Sequence, residues 1–121
     1  MKTRGQVEAE ISDAVTRFEK EYMGRGPLKT KTYLIEDMIL VRLKGVLTQA
    51  EHQLAATAEN SGGRELIKRV RVALLEKGRP LLQAEVEDLV QVQVKSLHTD
   101  ISTVTGERIM LFTLVSAPHF R

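Results

Sequence analysis

The chain contains no cysteine and no tryptophan. Without thiols there can be no disulfide, no thiolate zinc site and no cysteine nucleophile. Aromatic residues are scarce, two tyrosines and three phenylalanines. That argues against a surface on which unpaired bases stack. No apolar run approaches the roughly 20 residues needed to cross a bilayer, so no direct membrane insertion is expected. Residues 1–6 lead straight into charged sequence, which is not the pattern of a signal peptide. Charge of one sign is also lacking. Eighteen basic residues face sixteen acidic ones for a net +2, so any basic surface has to come from segregation rather than excess.

What is present suits one soluble α+β domain. A length of 121 residues with 42% hydrophobic and 28% charged can bury a core unaided. We expect a single domain over residues 1–121, with an ordered core from about residue 5 to about 115.

Between residues 6 and 23 the apolar positions are Val7, Ile11, Ala14, Val15, Phe18 and Tyr22, one face of a helix. Gly24 ends it, and Gly26-Pro27 reinforce the stop. Residues 31–36 and 38–45 read as strands. Ile39, Val41 and Leu43 alternate with Leu40, Arg42 and Lys44, and Glu36-Asp37 make the turn. Thr48 followed by Glu51 is a capping box for a short helix to about Ala58. Residues 60–63 break the chain, and a long helix starts at Arg64 with Leu66, Ile67, Val70, Ala73 and Leu74 facing one way. Gly78 and Pro80 then demand either a kink or a junction of two helices before about Leu89. Val72 and Leu75 fall toward the polar side, where such aliphatics suggest either a contact between helices of an oligomer or a place under the Pro80 kink.

Residues 92–101 and 108–115 form a second hairpin. Strict alternation puts Val92 and Val94 on one face and Leu97 and Ile101 on the other. A strand cannot send both sets into one core without a slip, so a bulge is expected near Lys95-Ser96, or else burial on both faces. Residues 116–121 read as a tail. The order α-ββ-α-α-ββ implies two layers, a four-stranded antiparallel sheet made of two hairpins with helices on one face. Leu40, Met110, Phe112 and Leu114 would make the other face apolar, and a homodimer is the simplest cover for it.

Motifs that carry chemistry are few. His98 and Asp100 share one side of a strand, suited to orienting an imidazole or to supplying two metal ligands, but a structural or recognition role at a strand end, with Asp100 accepting from turn backbone, is the simpler reading. No third ligand is indicated by spacing, and there is no nucleophile elbow or phosphate loop. Arg25 lies between two glycines and, with His98, Asp100 and Arg108, is the candidate set for a small anionic ligand. At roughly 100° per residue, Arg64, Lys68 and Arg71 share a stripe with Arg79 close by, the core side lying opposite. Such a stripe suits an acidic partner or lipid headgroups; nucleic acid is not expected as a partner. We expect no catalytic residues, no metal, no cofactor and no enzyme activity.

Four blocks carry a resemblance: Gly5-Gln6 with its helix, Tyr22-Met23-Gly24-Arg25-Gly26-Pro27, Asp37 to Thr48, and Ser96-Leu97-His98-Thr99-Asp100-Ile101-Ser102. Together they resemble the small bacterial MpsC-like family, named for the third component of a cation-translocating, membrane-potential-generating system. The resemblance spans about Thr3 to Leu114. It implies a soluble accessory or regulatory protein, cytoplasmic or peripheral to the inner face of the membrane, that works with transporter subunits of an ion-translocating or inorganic-carbon uptake system. It supplies no catalytic residues. Gly78 departs from the better helix former expected before Arg79-Pro80.

Overall fold

A computed structural model describes residues 1–56 and 61–121. Helix α1 (Arg4–Met23) begins where Thr3 accepts from the Gln6 amide while the Gln6 side chain answers the Thr3 amide, a capping box of Thr and Gln. It ends at Gly24, whose φ of 78° closes the helix in the left-handed region. Strands β1 (Lys29–Ile35) and β2 (Met38–Lys44) follow, joined through Glu36 at φ 53°. The Thr48–Glu51 box then starts α2 (Gln49–Ala56). The expected reach of α2 to Ala58 and the break at Asn60 lie outside the described residues. Helix α3 (Ser61–Val90) already includes Ser61-Gly62-Gly63, and it leads to the hairpin of β3 (Val94–Ile101) and β4 (Arg108–Leu114).

The sheet is antiparallel in the order β1-β2-β4-β3. The two hairpins therefore meet at β2 and β4, and α2 and α3 carry the chain from an inner strand to the far edge. Pairing fixes which residues share a face. Leu34, Ile39, Phe112 and Leu97 make one inner row, and Thr32, Val41, Met110 and Thr99 the next. The expected bulge is there: register shifts between Val94 and Ser96, leaving Lys95 extra. Thus Val94 and Leu97 both turn toward the core without a doubly buried strand.

The same pairing corrects the composition of the outer face. Met110, Phe112 and Leu114 are buried in the core, because they lie opposite or beside Val41 and Ile39. Leu40 stays on the outer face, and its companions are Tyr33, Ile35, Met38, Ile109 and Leu111.

Helix α3 is a single element through Pro80. Its buried stripe is Ile67, Arg71, Leu75, Gly78, Leu82, Val86 and Val90, spaced by three and four. That burial continues on both sides of the proline and outweighs its cost of about 3 kcal/mol. Leu75 is therefore core, whereas Leu66 and Val70, expected inside, are about half exposed. Gly78 permits a close approach of α3 to α1. A Cβ there would stand 2.5 Å from Phe18 Cε2 and 3.1 Å from Tyr22 Cδ1. The C-terminal segment is docked rather than loose. Pro118 is buried, Phe120 packs against the core under Arg4, and the Arg121 amide donates to the Lys2 carbonyl.

Candidate functional site

Two charged constellations stand out, one inside and one outside. Inside, Glu19 extends the apolar stripe of α1 after Ile11 and Val15, and is wholly buried. Arg108 enters from β4 on the core side, where its Nε lies 3.6 Å from Glu19 Oε1. Its Nη1 donates to Thr99 Oγ1 at 3.0 Å, and Thr99 in turn donates to the Ile109 carbonyl. Arg71 arrives from α3 and grips Glu51 twice, Nη2 to Oε1 at 2.7 Å and Nε to Oε2 at 3.1 Å, while Nη2 also reaches the Val46 carbonyl. Four elements, α1, α2, α3 and β4, are thereby tied through charge.

The electrostatics of the two acids differ. Burial pushes Glu19 above the usual carboxylate range, against the pull of Arg108 and Arg71. Burial also pushes Glu51 up, but hydrogen bonds from Arg71 and Thr48 prevail and hold it below. Arg108 is lowered by burial, with Glu19 opposing. Both Glu19 oxygens, Arg71 Nη1 and Arg108 Nε lack a hydrogen-bond partner. The cluster is enclosed and built of structural contacts.

The residues singled out for ligand binding do not share one surface, although Asp100 and Arg108 lie near enough to feel each other's charge. Arg25 donates to the Leu47 carbonyl at 2.8 Å and so fastens the α1–β1 loop to the start of α2. Arg108 is inside. His98 and Asp100 are on the outer face, where His98 Nε2 contacts Ser96 Oγ at 3.1 Å. The Ile101 amide and Lys68 hold the Asp100 carboxyl below its ordinary value. Among the described residues no group of three or more His, Asp or Glu is placed to hold a metal.

Nor do the four α3 cations form an exposed stripe. Arg71 is buried and bound to Glu51, because its position repeats that of Ile67 and Leu75. Arg64 donates to the Ala55 carbonyl, Lys68 pairs with Asp100, and Arg79 bonds Glu76 and Gln83. Sequence reasoning missed Glu19 and the inward role of Arg71. The available signal was positional, since each acid or base sits in step with an apolar stripe.

Outside, the sheet face away from the helices carries rows read directly from the pairing. Ile35, Met38, Thr113 and Ser96 form one; Tyr33, Leu40, Leu111 and His98 the next; Lys31, Arg42, Ile109 and Asp100 the third. Lys29 faces Lys44 beyond them. Tyr33 and Ile35 are 38% and 46% exposed, and Met38, Leu40, Ile109 and Leu111 are half-buried. Arg42 pairs with Glu107 at 2.7 Å, which raises the arginine further.

Comparison with known proteins adds a family. The model of the family described as Na+-translocating membrane potential-generating system (MpsC) matches residues 3–116. An uncharacterized protein of Bacillus subtilis (strain 168), YbcI, is 43% identical over 113 residues, 93% of this chain and 89% of its own length. A second from the same organism, the uncharacterized YrhF, is 28% identical over 104 residues, 85% of this chain and 83% of its own. No solved structure matches.

Proposed function

We propose, for a chain that belongs to the MpsC family, a non-enzymatic accessory or regulatory role in a membrane ion-translocating or inorganic-carbon uptake system. The observation that carries the reading is the match across residues 3–116 to a family named for such a system. Two structural features support it. No helix among the described residues is long and apolar enough to cross a membrane, so work at a membrane runs through transporter subunits or the membrane surface. Inside, Arg71 bonds Glu51 between α3 and α2, and Arg108 and Glu19 are enclosed as an ion pair between β4 and α1, which favours a binding module over an enzyme. The location proposed is cytoplasmic, at the inner face of the membrane, and the working unit a homodimer.

Co-expression of the tagged chain with and without the multi-span subunits of such a translocating system tests the role. The expected result is retention in the membrane fraction only when those subunits are present, with transport altered when the chain is deleted. A chain that stays soluble in both cases, with transport unchanged by its deletion, contradicts the proposal.

A further inference from the structure

The outer sheet face has a charge layout that suits a copy of itself. At one end of the β1–β2 hairpin, Lys29 stands directly opposite Lys44, and Lys31 opposite Arg42. Like charges directly opposed across strands destabilise a sheet, and here two such pairs are stacked on one face. These cations line a shallow groove with Tyr33. Arg42 is partnered by Glu107, but Lys29, Lys31 and Lys44 have no carboxylate partner among the described residues. At the other end, the exposed turn residues Glu36 and Asp37 likewise have no basic partner among the described residues. Between the ends lie Tyr33, Ile35, Met38, Leu40 and Leu111.

We infer that this face is a self-complementary dimer interface, in which the basic end of each copy meets the Glu36-Asp37 turn of the other. This deepens the homodimer reading above, on which it rests, by naming the surface and its register. The geometry follows from strand spacing. Rows on one face are about 6.8 Å apart, twice the rise per residue. Counted from the Tyr33–Leu40–Leu111 row, the basic rows lie about 7 and 14 Å to one side and the acidic turn about 10 Å to the other. A two-fold axis between two stacked sheets, running along that row, reverses strand direction and superposes acid on base at both ends. An axis along the strands would instead set base on base. Sheets packed this way lie about 10 Å apart with their apolar rows interleaved.

A polyanion or an anionic bilayer fits less well. Either would meet Glu36, Asp37 and Glu107 on the same face that attracts it. The size of the patch sets the strength. Four strands by seven residues cover about 450 Å², against roughly 800 Å² per partner in a standard interface. The dimer should therefore form with rising concentration rather than be obligate.

Charge reversal on the full chain gives the test, read by sedimentation velocity. Lys31→Glu with Lys44→Glu turns both opposed pairs into attractive ones, so the monomer keeps its fold; Glu36→Lys with Asp37→Lys reverses the turn. Each variant alone should dissociate at least about tenfold more readily than the unmodified chain. An equimolar mixture of the two should associate again, because the unaltered Glu36-Asp37 turn of the first variant meets the unaltered basic end of the second, while the neutralised end of the first no longer repels the lysines placed in the second's turn. A monomer at tens of micromolar for the unmodified chain overturns both the dimer and this interface. A dimer indifferent to both reversals, with no recovery on mixing, overturns the interface while leaving the dimer.

Discussion

Arg108 and Arg42 belong to neighbouring strands and adjacent register pairs, Leu43 with Arg108 and Arg42 with Ile109, yet they point to opposite faces of one sheet. The inner arginine is enclosed beside Glu19 at 3.6 Å; the outer one is held by Glu107 at 2.7 Å in water. The shorter pair is the less important to stability. A surface ion pair contributes about 0–1 kcal/mol, because water already solvates both charges. The enclosed pair has lost that solvation, so its cost of dismantling is set by what remains unpaired. The sheet thus carries an enclosed ion pair on one face and a solvated one on the other, with Lys29, Lys31 and Lys44 on that outer face lacking a carboxylate partner among the described residues.

The largest expected effect lies inside. Arg108→Ala leaves Glu19 buried without its ion-pair partner and should cost about 3–5 kcal/mol in urea unfolding. Replacing the pair together, Glu19→Leu with Arg108→Met, should recover most of that loss. If the double variant is as unstable as the single, the charge itself is not what matters at this site. Next comes Gly78→Ala. Alanine improves helix propensity by about 1 kcal/mol, but its Cβ would press on Phe18 and Tyr22. Overpacking typically costs about 1–3 kcal/mol, so a net fall in the thermal midpoint is expected. A rise would mean that α1 and α3 are not in close contact there.

Acid titration separates the two inner carboxylates by sign. The raised value of Glu19 means that the folded state takes up its proton first, so acidification through that range relieves a destabilising charge. The lowered value of Glu51 means the reverse. Its contribution is full above the ordinary carboxylate value and is lost as pH falls through the depressed one. Urea midpoints measured against pH should therefore lose their gain on mild acidification in Glu19→Gln, and flatten at lower pH in Glu51→Gln. Identical profiles for both variants and the parent would remove the distinction. The smallest effect is expected outside: Arg42→Ala should leave the urea midpoint nearly unchanged, because water already solvates both charges of its pair with Glu107. A loss comparable to that of Arg108→Ala would erase the contrast between the faces.

Much of this was legible in the sequence. Periodicity and caps located every element, and the conflict between Val94 and Leu97 left a bulge or a doubly buried strand, of which the pairing shows the bulge. What failed was the assignment of faces where polarity gives no contrast. In β4 the residues from Ile109 to Leu114 are apolar on both sides save Thr113, so only pairing with β2 decides that Met110 and Phe112 go in. In α3 aliphatic residues occupy two flanks, and a buried arginine carried the true stripe. The inner charge cluster was illegible for the same reason. Hydrophobicity marks Glu19 and Arg71 as surface residues, and only their step relative to Val15, Ile67 and Leu75 says otherwise. The candidate ligand residues did not share one surface, because alternate side chains of β3 and β4 go to opposite faces and put Arg108 inside while His98 and Asp100 stay outside.

The most direct test of the division between the faces is to measure unfolding and self-association on one variant, Lys31→Glu with Lys44→Glu. The expected result is a urea midpoint equal to or above that of the parent chain, because two repulsive cross-strand pairs are removed, together with loss of the dimer. A lowered midpoint with association unchanged would show that the outer charges serve the fold and not a partner.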